Sequence, residues 1–211
     1  MPPAEVIPPG IDLQHFTPGD RAEARSRTGL LADDGVVLYV GRLAADKDVE
    51  TLLRAFALPS PHSRQTRFVI VGDGPLRHRL QHLSDELEVD AVTTFLPFVP
   101  HSELPAYYRA CDVAVVPTDR LETFCMVALE AIACGCPLVV TDKVPEIVRY
   151  FPAVPTVAPH DAEDLRRRVD AVLDGRVQPA DNTRMVDHDW SSVARRYIAL
   201  YQSALRHAAP Q

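Results

Sequence analysis

The chain has 211 residues, enough for one large α/β domain with a sizeable core or for two small ones. Hydrophobic residues make up 46%, as in a soluble globular protein, and the formal net charge of −7 argues against a nucleic-acid binder, whose footprint would be basic. No apolar run approaches the ~20 residues that span a bilayer, and the N-terminus lacks a signal-peptide pattern. Four cysteines, Cys111, Cys125, Cys134 and Cys136, fall in or beside apolar elements. Cys134-Gly135-Cys136 is too tight for the usual zinc spacing, so these read as buried, reduced thiols of a cytoplasmic protein.

Residues 1–20 are rich in proline and glycine, show no period, and read as a linker or lead-in segment. Val36–Val40 is a buried strand ending at Gly41-Arg42, followed by a helix from about Lys47 to Leu58 with Leu52, Leu53, Ala55 and Phe56 inward. A second strand over 68–74 runs into Gly72-Asp73-Gly74-Pro75, with Pro75 at the first position of a helix reaching about Glu88. The dinucleotide fingerprint G-x-G-x-x-G fails there because position 77 is Arg, which sets aside an oxidoreductase. Residues 92–99 make a third strand and loop, and Ser102 caps a short helix in which Tyr107 and Tyr108 pack.

Val113–Val116 is a fourth buried strand closed by Pro117 and Thr118. From Met126 a helical period runs through Leu129 and Ile132 until Gly135 and Pro137 stop it. Glu122 stands where strand gives way to helix and Glu130 sits two turns inside, roughly 12 Å away at helical rise. That separation suits two carboxylates gripping hydroxyls at opposite ends of one ligand, although glutamates on the wet side of an amphipathic helix would give the same spacing. The amides of Thr123, Phe124, Cys125 and Met126 lie at a helix start, which favours oxyanions. Leu138–Thr141 is a fifth strand followed by a loop, and 154–158 a sixth at an edge. Asp161 or Asp164 starts a helix stopped by Gly175. The last helix places Trp190, Val193, Tyr197, Leu200 and Tyr201 at core-like spacing. Asp187-His188-Asp189 spells D-x-D but follows no buried strand, and Asp189 reads as a helix cap instead of a metal ligand.

Strands alternating with helices imply an α/β domain with a doubly wound, Rossmann-like parallel sheet of about six strands. In order 3-2-1-4-5-6, the loops after strands one and four, carrying Gly41-Arg42 and Thr118–Glu122, meet at the switch point where ligands bind.

Glu122, seven residues, Glu130, then a small-residue helix ending in CGCP resembles the E-x7-E signature of retaining GT-B glycosyltransferases, nearest to the GT4-type (group 1) family. GRLAADKDVETLLRAF resembles that family's GRL…K passage, GDGP its turn beside the donor site, and VTTFLPFV its base-contacting segment. The resemblance covers roughly residues 6–207 and implies the C-terminal, donor-binding half of a GT-B fold. Residues 1–20 would lead into it, 21–182 would form the nucleotide-sugar-binding domain, and 183–211 would cross back to brace an N-terminal half. It departs from the family's pattern at Pro9, Asp48, Pro97, Cys125 and Met126, and in a shorter loop after Thr141.

The resemblance further implies retaining transfer of a hexose from a UDP-, GDP- or ADP-sugar. Arg42 and Lys47 would hold the diphosphate and Glu122 the sugar. Glu130 would take the ribose hydroxyls, with Gly41, Gly72, Gly74, Phe98, Val99 and the 123–126 amides completing the site. No cofactor or metal is called for. The acceptor would bind a GT-B half in cis or trans, which could also carry peripheral contact with the cytoplasmic face of a membrane, and this chain alone would be inactive. A non-catalytic nucleotide-sugar-binding subunit and a nucleotide-sugar epimerase of the same fold are the alternatives.

Overall fold

The structure, a computed structural model, describes residues 6–30, 34–60 and 65–208. The ends of the outer segments, residues 1–5 and 209–211, lie outside the described residues. Six strands form one all-parallel sheet: β1 (Gly35–Val40), β2 (Thr66–Val71), β3 (Thr93–Leu96), β4 (Val113–Val116), β5 (Leu138–Thr141) and β6 (Thr156–Val157). Their order is β3-β2-β1-β4-β5-β6, the doubly wound order expected from the sequence. Val37 faces Phe68 on one side and Val113 on the other, which puts β1 and β4 at the centre.

The central strands are apolar runs because both sheet faces are covered. On one face α2 (Val49–Ala57), α3 (Arg77–Glu86) and α7 (Ala162–Leu173) pack Leu52, Leu53, Leu80, Leu165 and Val169 against Val37, Phe68, Ile70 and Val115. The other face is covered by α4 (Leu104–Ala110), α5 (Met126–Ala133), α6 (Pro145–Tyr150) and the irregular residues 6–20, whose Ile11 and Phe16 are buried. Buried helix faces of this kind carry most of the helical stability in water.

Several boundaries differ from the sequence reading. The helix after β1 opens as a 3-10 turn, Ala45–Lys47, and becomes α-helical at Val49, where α2 starts. Asp48 between them adopts φ 46°, its carboxylate accepting from the Thr51 amide and lying 2.8 Å from His160 Nδ1. Asp tolerates this left-handed conformation while capping the helix. β2 ends at Val71, and α3 starts at Arg77 because the Leu76 amide is spent on the Leu43 carbonyl, so Pro75 precedes the helix. β3 ends at Leu96, since Pro97 and Pro100 offer no amide to a ladder. Ser102 does not cap α4: the cap position is Glu103, without a side-chain bond. The segment after β5 is no simple loop, because Pro145 initiates α6.

α1 (Arg21–Thr28) has no apolar stripe to betray it in the sequence. Asp20 caps it, and it docks through buried Arg25, whose guanidinium reaches Asp112 at 2.8 Å. In α8 (Trp190–Ala208), following a 3-10 segment Asn182–His188, only Val193 of the expected core residues is buried; Trp190, Tyr197, Leu200 and Tyr201 are exposed. The helix rests on the preceding 3-10 segment, and among the described residues nothing covers its apolar stripe.

Candidate functional site

The chain turns outward in opposite directions from β1 and β4, so a crevice opens where the loops after these two strands face each other. The loops are laced together. Thr118 Oγ1 donates to the Asp46 carbonyl at 2.8 Å, and Thr141 Oγ1 donates to the Thr118 carbonyl at 2.6 Å. The Glu122 amide donates to the Lys143 carbonyl at 2.8 Å. Across the gap Lys47 Nζ meets Glu122 Oε2 at 2.7 Å, the two side chains 25% and 27% exposed. Two of the charged residues singled out from the sequence thus meet here, whereas Arg42, on the same loop as Lys47, contacts Asp46 at 3.2 Å and keeps its guanidinium in solvent. Both side chains of the Lys47–Glu122 pair keep about a quarter of their surface in solvent, so a stronger anion can compete for Lys47.

Beside this crevice a cavity of about 330 Å³ is lined by Gly41, Arg42, Gly72, Phe98, Val99 and Leu104 among others. Glycine is required at Gly72, which lines it, and at Gly74, which does not. A Cβ on Gly72 (φ 143°) would lie 1.9 Å from the Gly41 carbonyl oxygen, and one on Gly74 (φ 159°) 2.4 Å from that of Leu43. Both therefore serve the mutual approach of two loops as well as any ligand. Arg77, which breaks the dinucleotide fingerprint, donates to the carbonyls of Gly72, Leu96 and Phe95 at 2.9–3.2 Å and ties down the ends of β2 and β3. Phe98, 75% exposed, stands at the mouth. A smaller cavity of about 40 Å³ beneath Lys47 and Glu122 is lined by Tyr39, Gly41, Thr118, Cys125 and Val127.

α5 begins at Met126 with Cys125 at its cap position and no side-chain cap bond, leaving an open helix start below Glu122. Cys125 is buried, and burial, followed by the Glu122 charge, pushes its thiol up to about 12, so it stays neutral. Thr123, Phe124 and Met126 stand at this helix start outside both cavities, with Thr123 exposed and the other two half-buried.

Glu130 is not on a wet helix face: it is 5% exposed. Tyr108 Oη donates to its Oε2 at 2.7 Å, and His101 Nε2 lies 3.1 Å from Oε1. Burial raises its pKa, while the bonds from Tyr108 and His101 pull it back. Tyr108 is thus more than a packing residue, and His101 is a site neighbour that the sequence did not announce. A buried glutamate and a buried tyrosine in adjacent helices each need a polar partner, and that was the available signal. The Asp187-His188-Asp189 triplet is dispersed: His188 is buried, and Asp189 accepts from the Ser191 amide at 2.9 Å at the start of α8. Among the described residues no group of three or more His, Cys, Asp or Glu side chains is arranged to hold a metal ion.

Comparison with known proteins places this arrangement. Residues 20–187 match the family described as glycosyl transferases group 1. The chain is 36% identical over 217 residues to the D-inositol 3-phosphate glycosyltransferase of Mycobacterium tuberculosis, covering 95% of this chain and 44% of that protein. A sucrose-phosphate synthase from Thermosynechococcus elongatus superposes with a TM-score of 0.84 at 30% identity, covering 97% of this chain and 53% of that one. An Anabaena protein in complex with UDP-glucose shares the fold, with a TM-score of 0.80 at 20% identity over 92% of this chain and 56% of that one. The chain therefore spans about half the length of these relatives. It belongs to the group 1 glycosyltransferases, as the C-terminal Rossmann-like half of a GT-B fold.

Proposed function

We propose that this chain binds a nucleotide-diphospho-sugar for retaining transfer of a hexose in the manner of GT4-type enzymes. Arg42 and Lys47 neutralise the diphosphate as the leaving group gains charge, a contribution of several kcal/mol in an enclosed site. Glu122 orients the sugar hydroxyls with the 123–126 amides, Glu130 accepts from the ribose, and Phe98 with Val99 borders the base. The cations and the open helix start do the work of a metal, so the reaction calls for no cofactor. The observation that carries this reading is the Lys47–Glu122 contact at 2.7 Å across the switch point, a mobile cation and a carboxylate poised beside a cavity. The UDP-glucose bound to the Anabaena relative makes a uridine nucleotide the first donor to try.

The acceptor then comes from an N-terminal half in cis or trans. The uncovered aromatic face of α8, with Trp190, Tyr197 and Tyr201 exposed, is what such a half would cover. In this reading residues 1–20 lead in, 21–182 hold the donor and 183–211 brace the partner, at work in the cytoplasm. Calorimetric titration with UDP, GDP and ADP tests it, with the Arg42→Ala, Lys47→Ala double variant alongside. Binding of one nucleotide that weakens at least tenfold in the double variant is expected. Equal binding by both proteins, or none by either, overturns the assignment. Donor binding without turnover in any pairing would make the chain a non-catalytic subunit.

A further inference from the structure

Glu130 has two partners of very different character. Tyr108, on α4, is fully buried, and its hydroxyl is fixed against Oε2 by the core around it. His101 lies outside α4 in the turn before it, with its side chain 66% exposed, yet its ring is held edge-on to Phe16 at 4.8 Å and tilted over His15 at 6.1 Å. The histidine therefore sits in one place without being part of the core. Neither the diphosphate contacts nor the sugar contacts proposed above use it.

We propose that His101 is a positioning residue that fixes Oε1 of Glu130 and thereby sets the preference of this site for ribonucleotides over 2′-deoxyribonucleotides. The inference rests on the reading of Glu130 as the ribose acceptor. A carboxylate offers about four lone-pair sites, two on each oxygen. Tyr108 occupies one on Oε2 and His101 one on Oε1, which leaves one on each oxygen. A vicinal diol presents two O–H donors, and two remaining sites on one rigid carboxylate match it. Without His101 the carboxylate keeps a single anchor and is free to turn about its terminal torsion, which is broad and roughly two-fold. A diol gains less from an acceptor that wanders, so the second hydroxyl contributes less to binding.

The same contact opposes protonation of the acceptor. Burial alone would push Glu130 toward its neutral form, and the bonds from Tyr108 and His101 oppose that. The other titratable groups around it are His15 from the lead-in segment and the buried thiol of Cys134, with the thiol of Cys125 facing Tyr108 and Arg109 beyond Cys134. Burial keeps the two thiols neutral, and beside the Tyr108 hydroxyl the interactions that lower the Glu130 pKa come from His101 and His15.

The test is titration of the full chain with UDP and 2′-deoxy-UDP, for the unaltered protein and for His101→Ala, His101→Gln and Glu130→Gln. One hydrogen bond to a charged acceptor gives the unaltered protein about a tenfold preference for UDP. In His101→Ala the preference falls to about twofold, while His101→Gln, whose amide N–H can still donate to Oε1, retains most of it. A merely structural role for His101 would weaken both nucleotides equally. An unchanged preference in His101→Ala, with Glu130→Gln abolishing it, overturns the inference and leaves the ribose reading standing. An unchanged preference in Glu130→Gln, or no binding of either nucleotide to the unaltered protein, overturns the ribose reading and the inference with it. Carboxyl-detected NMR of the nucleotide-free chain gives a second readout. His101→Ala is expected to move the Glu130 titration upward, and an unmoved titration overturns the contact itself.

Discussion

The two ends of β4 carry carboxylates that do opposite things. At its start Asp112 is buried and accepts from Arg21 at 2.7 Å, from Arg25 at 2.8 Å and from the Val36 amide at 2.8 Å. Beyond its far end Glu122 accepts from the partly exposed ammonium of Lys47, beside a small cavity. The first carboxylate is spent on joining α1, β1 and β4, and its charge has no further use. The second is held by a partner that an incoming diphosphate can draw away. Asp112 stands at the N-terminal edge of the sheet, whereas Glu122 stands at the C-terminal edge, the side on which α/β sheets bind ligands.

Removing each group in turn sharpens this contrast. The largest loss is expected for Asp112→Ala, which strands Arg25 in the core and should cost about 3–5 kcal/mol, read from the denaturant midpoint. A loss below about 1 kcal/mol would mean that Asp112 is no more committed than Glu122. Next comes Gly72→Ala. The left-handed backbone alone costs about 1–3 kcal/mol, and the new Cβ would strike the Gly41 carbonyl, so stability and nucleotide affinity should fall together. Wild-type stability with unchanged affinity would show that the two loops do not pack as described.

A smaller effect, distinguished by its pH dependence, is expected for Tyr108→Phe. The folded-state pKa of Glu130 lies above its ordinary value because of burial, so its contribution to stability is complete at acid pH and declines as pH rises through the folded pKa. Tyr108 opposes that shift. Its removal should therefore make the decline larger and carry it to higher pH, so that urea midpoints of variant and wild type converge at pH 4 and separate toward pH 8. A constant separation at every pH would mean that the hydroxyl does not reach the carboxylate.

Much of the fold was legible because parallel strands buried on both faces are continuous apolar runs; Val113–Val116 and Leu138–Thr141 have the bounds read from the sequence. Arg42, Lys47 and Glu122 were also legible as neighbours, since strand order alone brings the loops after β1 and β4 together. What stayed hidden depends on distant partners. α1 docks by the pairing of Arg25 with Asp112, 87 positions away, which no period encodes. His101 and Tyr108 reach Glu130 across 29 and 22 positions. The stripe on α8 has the spacing of a core helix, yet apart from Val193 it is exposed, because a pattern tells which face is apolar and not what covers it. Local sequence reports burial well and partnership poorly.

The central claim, that Glu122 is held in reserve for a sugar, is tested most directly by titrating wild type and Glu122→Gln with UDP and UDP-glucose. Loss of the carboxylate frees Lys47 and removes a negative charge from the diphosphate site. UDP should bind as well as before or a few-fold tighter, while the additional affinity conferred by the glucose disappears. Parallel weakening of both ligands would contradict this, and would make Lys47–Glu122 a structural tie of the same kind as Arg25–Asp112.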